Sequence, residues 1–64
     1  MPLVEENIMR VLRESKRSLT LMEITDALNK MNSRSTPYSY DEIRGRLEQM
    51  DEVHESRGTY ALKG

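Results

Sequence analysis

SYDEIRGRLEQM, residues Ser39–Met50, carries two helix signals at once. Ser39 and Glu42 stand three apart, the spacing of a capping box, in which each side chain accepts a backbone N–H from the other's residue. Behind the box, Ile43, Leu47 and Met50 recur at i, i+4 and i+7, the period of one buried helical stripe. The stretch therefore reads as a helix over about Tyr40–Met50. At about 100° per residue, turning that stripe inward leaves Asp41, Gly45 and Glu48 outermost, flanked by Glu42, Arg44 and Gln49.

The same construction occurs upstream. Thr20 and Glu23 form a second box, followed by a stripe of Ile24, Ala27, Leu28 and Met31. A helix from about Leu21 to Asn32 follows from it. Pro37 disfavours helical geometry at Thr36, so Ser33–Pro37 is a polar loop, and it carries Arg34. Nearer the start, Pro2 suits the first turn of a helix. Val4, Ile8, Val11, Leu12 and Ser15 mark the inner face of that helix, about Leu3–Ser15, and Arg17–Leu19 reads as a short link for which an extended path is open. Downstream, Val53, Tyr60 and Leu62 are strand formers around Arg57-Gly58, where Gly supplies positive φ. A two-residue loop there sets Val53 opposite Leu62 and Glu55 opposite Tyr60. A three-residue loop with Gly58 as bulge shifts the register by one and flips faces. The shared apolar face of Val53 and Leu62 favours the shorter loop.

Length and composition bound what this plan can do. The 64 residues make one domain, 1–64, with a core worth about 3–5 kcal/mol of net stability. Cys, Phe and Trp are absent. The core is expected from Ile8, Leu12, Ile24, Leu28, Ile43, Leu47, Val53 and Leu62, with Tyr60 beside them. So thin a core, in a chain with five Met, raises the expectation of a homodimer. One His and no Cys give no metal site; His54 between Glu52 and Glu55 reads as a solvated strand residue. No Ser/His/Asp set or phosphate-cradling Gly loop stands out, so neither catalysis nor a cofactor is expected. No apolar run approaches the roughly 20 residues needed to span a bilayer. No signal-peptide pattern opens the chain, and a cytoplasmic protein is expected.

Net charge is −1, without the strong basic excess of many nucleic-acid binders. Residues 1–34 carry six Lys/Arg against five Asp/Glu, and residues 35–64 carry four against six. On the first helix, acid first and base last follows the helix dipole. The sharper reading of Arg10, Arg13, Lys16 and Arg17 is a phosphate-facing patch.

Helix, capped helix, capped helix and Gly-turned hairpin together resemble the winged helix–turn–helix family of DNA-binding domains. LTLMEITDAL is similar to the family's second helix, IRGRLEQM to its recognition helix and VHESRGTYAL to its wing. There are two departures. The Ser33–Ser39 connection is longer than a tight helix–turn–helix turn, and Asp51-Glu52 stands where a Gly often separates recognition helix from wing. The resemblance implies a mainly α (α+β) fold, three helices with a small C-terminal β-hairpin wing. It also implies double-stranded DNA as partner and a role as a small transcription regulator. Carried over by position, Tyr38, Ser39, Tyr40 and Arg44 face bases or phosphates and Arg57 is the wing-tip cation. Lys30 and Arg34 meet backbone phosphates, which position without reading sequence. The N-terminal amides of the third helix suit a phosphate.

The third helix itself sets a rival reading. Its Arg44 and Arg46 are outnumbered by Asp41, Glu42 and Glu48. Carboxylates are unfavourable beside DNA unless they accept from a base amino group. Its outer Asp41, Gly45 and Glu48 are then the docking face for a protein partner, with Gly45 permitting close approach. Tyr38 and Tyr40 also read as lids on the core with wet hydroxyls.

Overall fold

Thr20 and Ser39 each cap a helix where their spacing places them. In the computed structural model, which describes residues 4–31 and 36–63, the Thr20 box closes reciprocally. Thr20 N–H donates to Glu23 Oε1 at 2.9 Å, and Glu23 N–H donates to Thr20 Oγ1 at 3.2 Å. The Thr20 N–H, helped by the Arg17 guanidinium 3.1 Å from Oε2, holds the Glu23 carboxyl below its ordinary pKa. At the other cap, Ser39 Oγ accepts the Glu42 N–H at 3.2 Å.

The elements run α1 (Val4–Ser15), β1 (Leu19–Thr20), α2 (Leu21–Met31), α3 (Tyr40–Gln49), β2 (Val53–Ser56) and β3 (Thr59–Leu62). α1 stops because Lys16 turns to φ 58°, and the Ser15 hydroxyl sits 3.0 Å from the Leu12 carbonyl oxygen at the frayed end. Ser15 is half buried at the end of the inner face, where its hydroxyl also serves the helix terminus. Both central residues of the hairpin have positive φ, 55° at Arg57 and 83° at Gly58. That is the mirror-image two-residue turn whose twist matches its strands. The register follows, with Val53 opposite Leu62 and Glu55 opposite Tyr60.

The extended path open to the link is realised at Leu19, but its pairing into the sheet has no counterpart in the sequence. The link before α2 contains β1, which pairs antiparallel with β3, Leu19 opposite Tyr60 and Thr20 opposite Thr59. The sheet therefore has three strands in the order β1-β3-β2. Three helices with this small antiparallel sheet make an α+β layout consistent with a winged helix.

Ile8, Val11, Leu12, Leu19, Ile24, Leu28, Ile43, Leu47 and Met50 form the buried core. Val53, Tyr60 and Leu62 are half buried against it, closing the open side of the helices with the sheet. Two methionines depart from expectation. Met31 is 44% exposed although it lies only about 20° around the helix from Ile24. Its exposure comes from position along the axis, one turn past Leu28 at the end of α2. Met50 is buried but no longer helical. Its backbone is extended, and its N–H donates to the Leu47 carbonyl to cap α3. Met22 is exposed too, nine residues from Met31 and so about 180° round the helix, which leaves no single methionine patch.

Thr25 is 1% exposed, and its hydroxyl has no partner among the described residues. A buried hydroxyl without a hydrogen bond costs roughly 1–3 kcal/mol. Thr25→Val keeps the shape and should raise stability by about 1 kcal/mol, read as a shift in the urea midpoint. A loss of stability would show that the hydroxyl bonds within the helix. Among the described residues, no helix is long and apolar enough to cross a membrane.

Candidate nucleic-acid interface

The start of α3 is held in place by α2. Tyr38 N–H donates to Asn29 Oδ1 at 2.8 Å, and Asn29 Nδ2 donates back to the Tyr38 carbonyl at 3.5 Å. This clamp fixes the approach to the Ser39 cap, and Tyr38 itself packs against the core as a half-buried lid. Tyr40 is 47% exposed. The Ser39 hydroxyl oxygen is engaged in capping, which leaves its proton for a ligand. The first amides of a helix lack intrahelical acceptors, so the start of α3 offers N–H donors beside an exposed aromatic ring.

The arginines of α3 divide. Arg46 reaches back to α1, its guanidinium 3.2 Å from Glu5, and ties the two helices together. Arg44 lies 3.3 Å from Asp41 one turn before it, and both side chains are well exposed. An exposed pair of this kind is worth about 0–1 kcal/mol, so a phosphate can displace Asp41. Lys30 is exposed in the last turn of α2, with no ion pair among the described residues. Arg34 lies outside the described residues.

At the wing, Arg57 is exposed and unpaired among the described residues. Glu55 Oε2 accepts the Gly58 N–H at 2.9 Å, and the Thr59 hydroxyl donates to the Ser56 carbonyl at 2.7 Å. These bonds make the tip rigid. They also set a carboxylate behind the tip cation. A continuous cationic surface is therefore not formed by α3 and the wing. Asp41 neutralises Arg44 locally, and Glu48 stands between the helix and the hairpin. From Tyr40 to Gly58, six carboxylates face three guanidinium groups.

Gly45 is half buried, not among the outermost residues as its helical angle implies. A Cβ built there meets nothing within 4 Å, so the fold itself does not require Gly. Gly45→Ala should add about 0.5–1 kcal/mol of stability, measured by thermal melting. A destabilised variant would reveal crowding at that face.

The other basic cluster is broken into pairs. Arg10 meets Glu14 at 3.3 Å and Arg17 meets Glu23 at 3.1 Å. Arg13 and Lys16 remain, lining a shallow cleft with Arg17 beside Ala61 and Leu62. His54 and Glu55, adjacent on β2, project to opposite faces of the sheet. Among the described residues, no three His, Asp or Glu side chains gather as a metal would require.

A groove of about 310 Å³ lies between α3 and the inner face of the hairpin. Leu47, Met50, Val53 and Tyr60 form its apolar floor, and Glu48 and Glu55 stand on its walls. The sequence reading placed Glu48 on an outer face but did not bring Glu55 to it. The usable signal is the period of two, which puts Glu55 on the inward face of β2 with Val53; the lie of the sheet over α3 supplies the rest. No family model, curated protein or solved structure matches this chain.

Proposed function

We propose that the domain is a non-enzymatic winged helix that binds double-stranded DNA, as a small transcription regulator of the cytoplasm. The first turn of α3 and the wing tip meet the duplex. Arg57 is the observation that carries this reading. It occupies a left-handed backbone position that favours Gly, Asn and Asp, and a non-Gly residue there costs about 1–2 kcal/mol. Lys16 adopts the same geometry to end α1, whereas at the wing it sets an exposed cation, unpaired among the described residues, at the outermost end of the hairpin. Tyr40 and the free amides of α3 add contacts for bases and phosphates. Arg44, Lys30 and Arg34 add charge to the backbone contacts.

The test separates strain from charge. Arg57→Asn installs Asn-Gly, the favoured two-residue hairpin turn, and should raise stability by about 0.5–1 kcal/mol. The same change should weaken binding to random duplex DNA and lower the slope of log K against log salt by about 1. Fluorescence anisotropy across a salt series reads the second effect. An unchanged slope removes Arg57 from the interface.

A second reading is favoured by the acidic balance of Tyr40–Gly58. In it, Asp41, Gly45 and Glu48 dock a protein partner, and DNA is not bound. The two readings predict opposite responses when those carboxylates are neutralised.

A further inference from the structure

β2, of four residues, is the longer of the two edge strands of the sheet. β3 lies between β1 and β2, so one side of β2 faces no strand. Lys63 N–H donates to the Glu52 carbonyl at 2.8 Å, and hydrogen-bonded pairs alternate along an antiparallel ladder. With Val53 opposite Leu62, the bonded pairs fall at His54 with Ala61 and Ser56 with Thr59. Val53 and Glu55 therefore turn their backbone groups outward. Val53 N–H is taken by the Met50 carbonyl at 3.2 Å. The Val53 C=O and both backbone groups of Glu55 remain at the edge.

The same two residues point their side chains inward, to the groove between β2 and α3. A strand laid along β2 would send alternate side chains over that groove. Leu47, Met50, Val53 and Tyr60 offer apolar surface, and Glu48 and Glu55 line the same groove with no Lys or Arg among its lining residues. The Gly58 N–H holds Glu55 Oε2, which leaves Oε1 for a ligand. Charge on an edge strand ordinarily guards against pairing. Here the guard is of one sign. A second copy of β2 would turn its own Glu55 over the same acidic groove, and a polyanion is repelled. A basic strand is selected.

We propose that β2 and its groove bind an extended segment of a partner protein by strand addition, with Lys or Arg opposite Glu55 and an apolar residue opposite Val53. The aliphatic stem of the basic residue lies on the apolar floor and its head meets Glu48 and Glu55. The site uses the C-terminal end of α3 and the side of the wing, whereas the proposed DNA contacts use the first turn of α3 and the tip.

Two acetylated pentapeptide amides serve as probes, Thr-Arg-Thr-Val-Thr and Thr-Val-Thr-Arg-Thr, one for each strand direction. Amide NMR spectra of the full chain are recorded as each is added up to millimolar concentration. One of them should shift and protect the Glu55 N–H and shift Leu47–Val53. Replacing Arg by Glu in that peptide should weaken binding by about tenfold. Glu48→Gln, on the exposed wall away from the strand, should weaken it by about threefold. Glu55→Pro removes the edge N–H together with the groove carboxylate and its bond to Gly58, and should abolish binding; Glu55→Gln, which keeps the edge N–H, should only weaken it. The proposal is overturned if neither peptide moves Glu55, or if the Glu peptide binds as well. It is also overturned if shifts map to the Arg13–Lys16 cleft, or if β2 shifts with protein concentration alone, as self-pairing would produce.

Discussion

Leu47→Ala should leave much of the chain unfolded at room temperature. Leu47 is 3% exposed and stands with Ile43 and Met50 where α3 meets the other helices and the hairpin. Truncating a buried Leu to Ala costs about 2–5 kcal/mol, from lost transfer energy and the cavity left behind. A domain of this size has about 3–5 kcal/mol to lose. Leu47 also floors the groove beside β2, so the site goes with the fold. Urea denaturation followed by far-ultraviolet circular dichroism measures the loss. The neighbouring Glu48→Gln serves as control and should stay within about 0.5 kcal/mol of the parent. A loss below about 1 kcal/mol for Leu47→Ala would mean that the α3 stripe does not hold the domain together.

The second large effect is expected from Asp41→Asn combined with Glu48→Gln. DNA presents about one negative charge per 1.7 Å of axis, and both carboxylates face that field in the proposed mode. Removing Asp41 also releases Arg44, which it holds at 3.3 Å. Affinity for random duplex DNA at low salt should rise roughly tenfold, and the salt slope should steepen by about 1 as Arg44 gains a phosphate. Glu48→Gln alone should strengthen DNA binding while weakening the strand-addition peptide, so one variant moves the two proposed activities in opposite directions. If the parent binds no duplex tighter than about millimolar at low salt and the double variant changes nothing, the DNA reading fails. The docking of a protein on Asp41, Gly45 and Glu48 then takes its place.

What the sequence made legible was local. A cap and its partner stand three residues apart, a stripe repeats within two turns, and a Gly after Arg57 sets a two-residue loop. The helices and the hairpin register follow from such short-range rules. β1 was hidden because two residues cannot display a period, and Leu19-Thr20 becomes a strand only when Tyr60 and Thr59 arrive beside it. The Asn29 clamp on Tyr38 joins residues nine apart on different elements, and the Arg46–Glu5 pair joins residues 41 apart. Neither has a spacing signature. The candidate site was half legible for the same reason. The exposed charges of α3 follow from helical angle, and Asp41 stands at pairing distance from Arg44 on one face. The approach of Glu55 to Glu48 depends on how the sheet lies over the helix, which no local pattern encodes.

β1 also fixes the order in which the domain can be completed. Leu19 meets its partner Tyr60 at a sequence separation of 41 residues, and closing a loop of that length costs on the order of 3 kcal/mol in chain entropy. The hydrogen bonds within each helix and within the hairpin need no such closure, although helices this short draw most of their stability from packing. The β1–β3 ladder has to wait for the last strand. Until residue 62 has left the ribosome, Leu19, buried in the finished domain, has no strand to cover it. Among the described elements the β1–β3 ladder is thus one of the last pairings that chain order allows, and it is the one that covers Leu19.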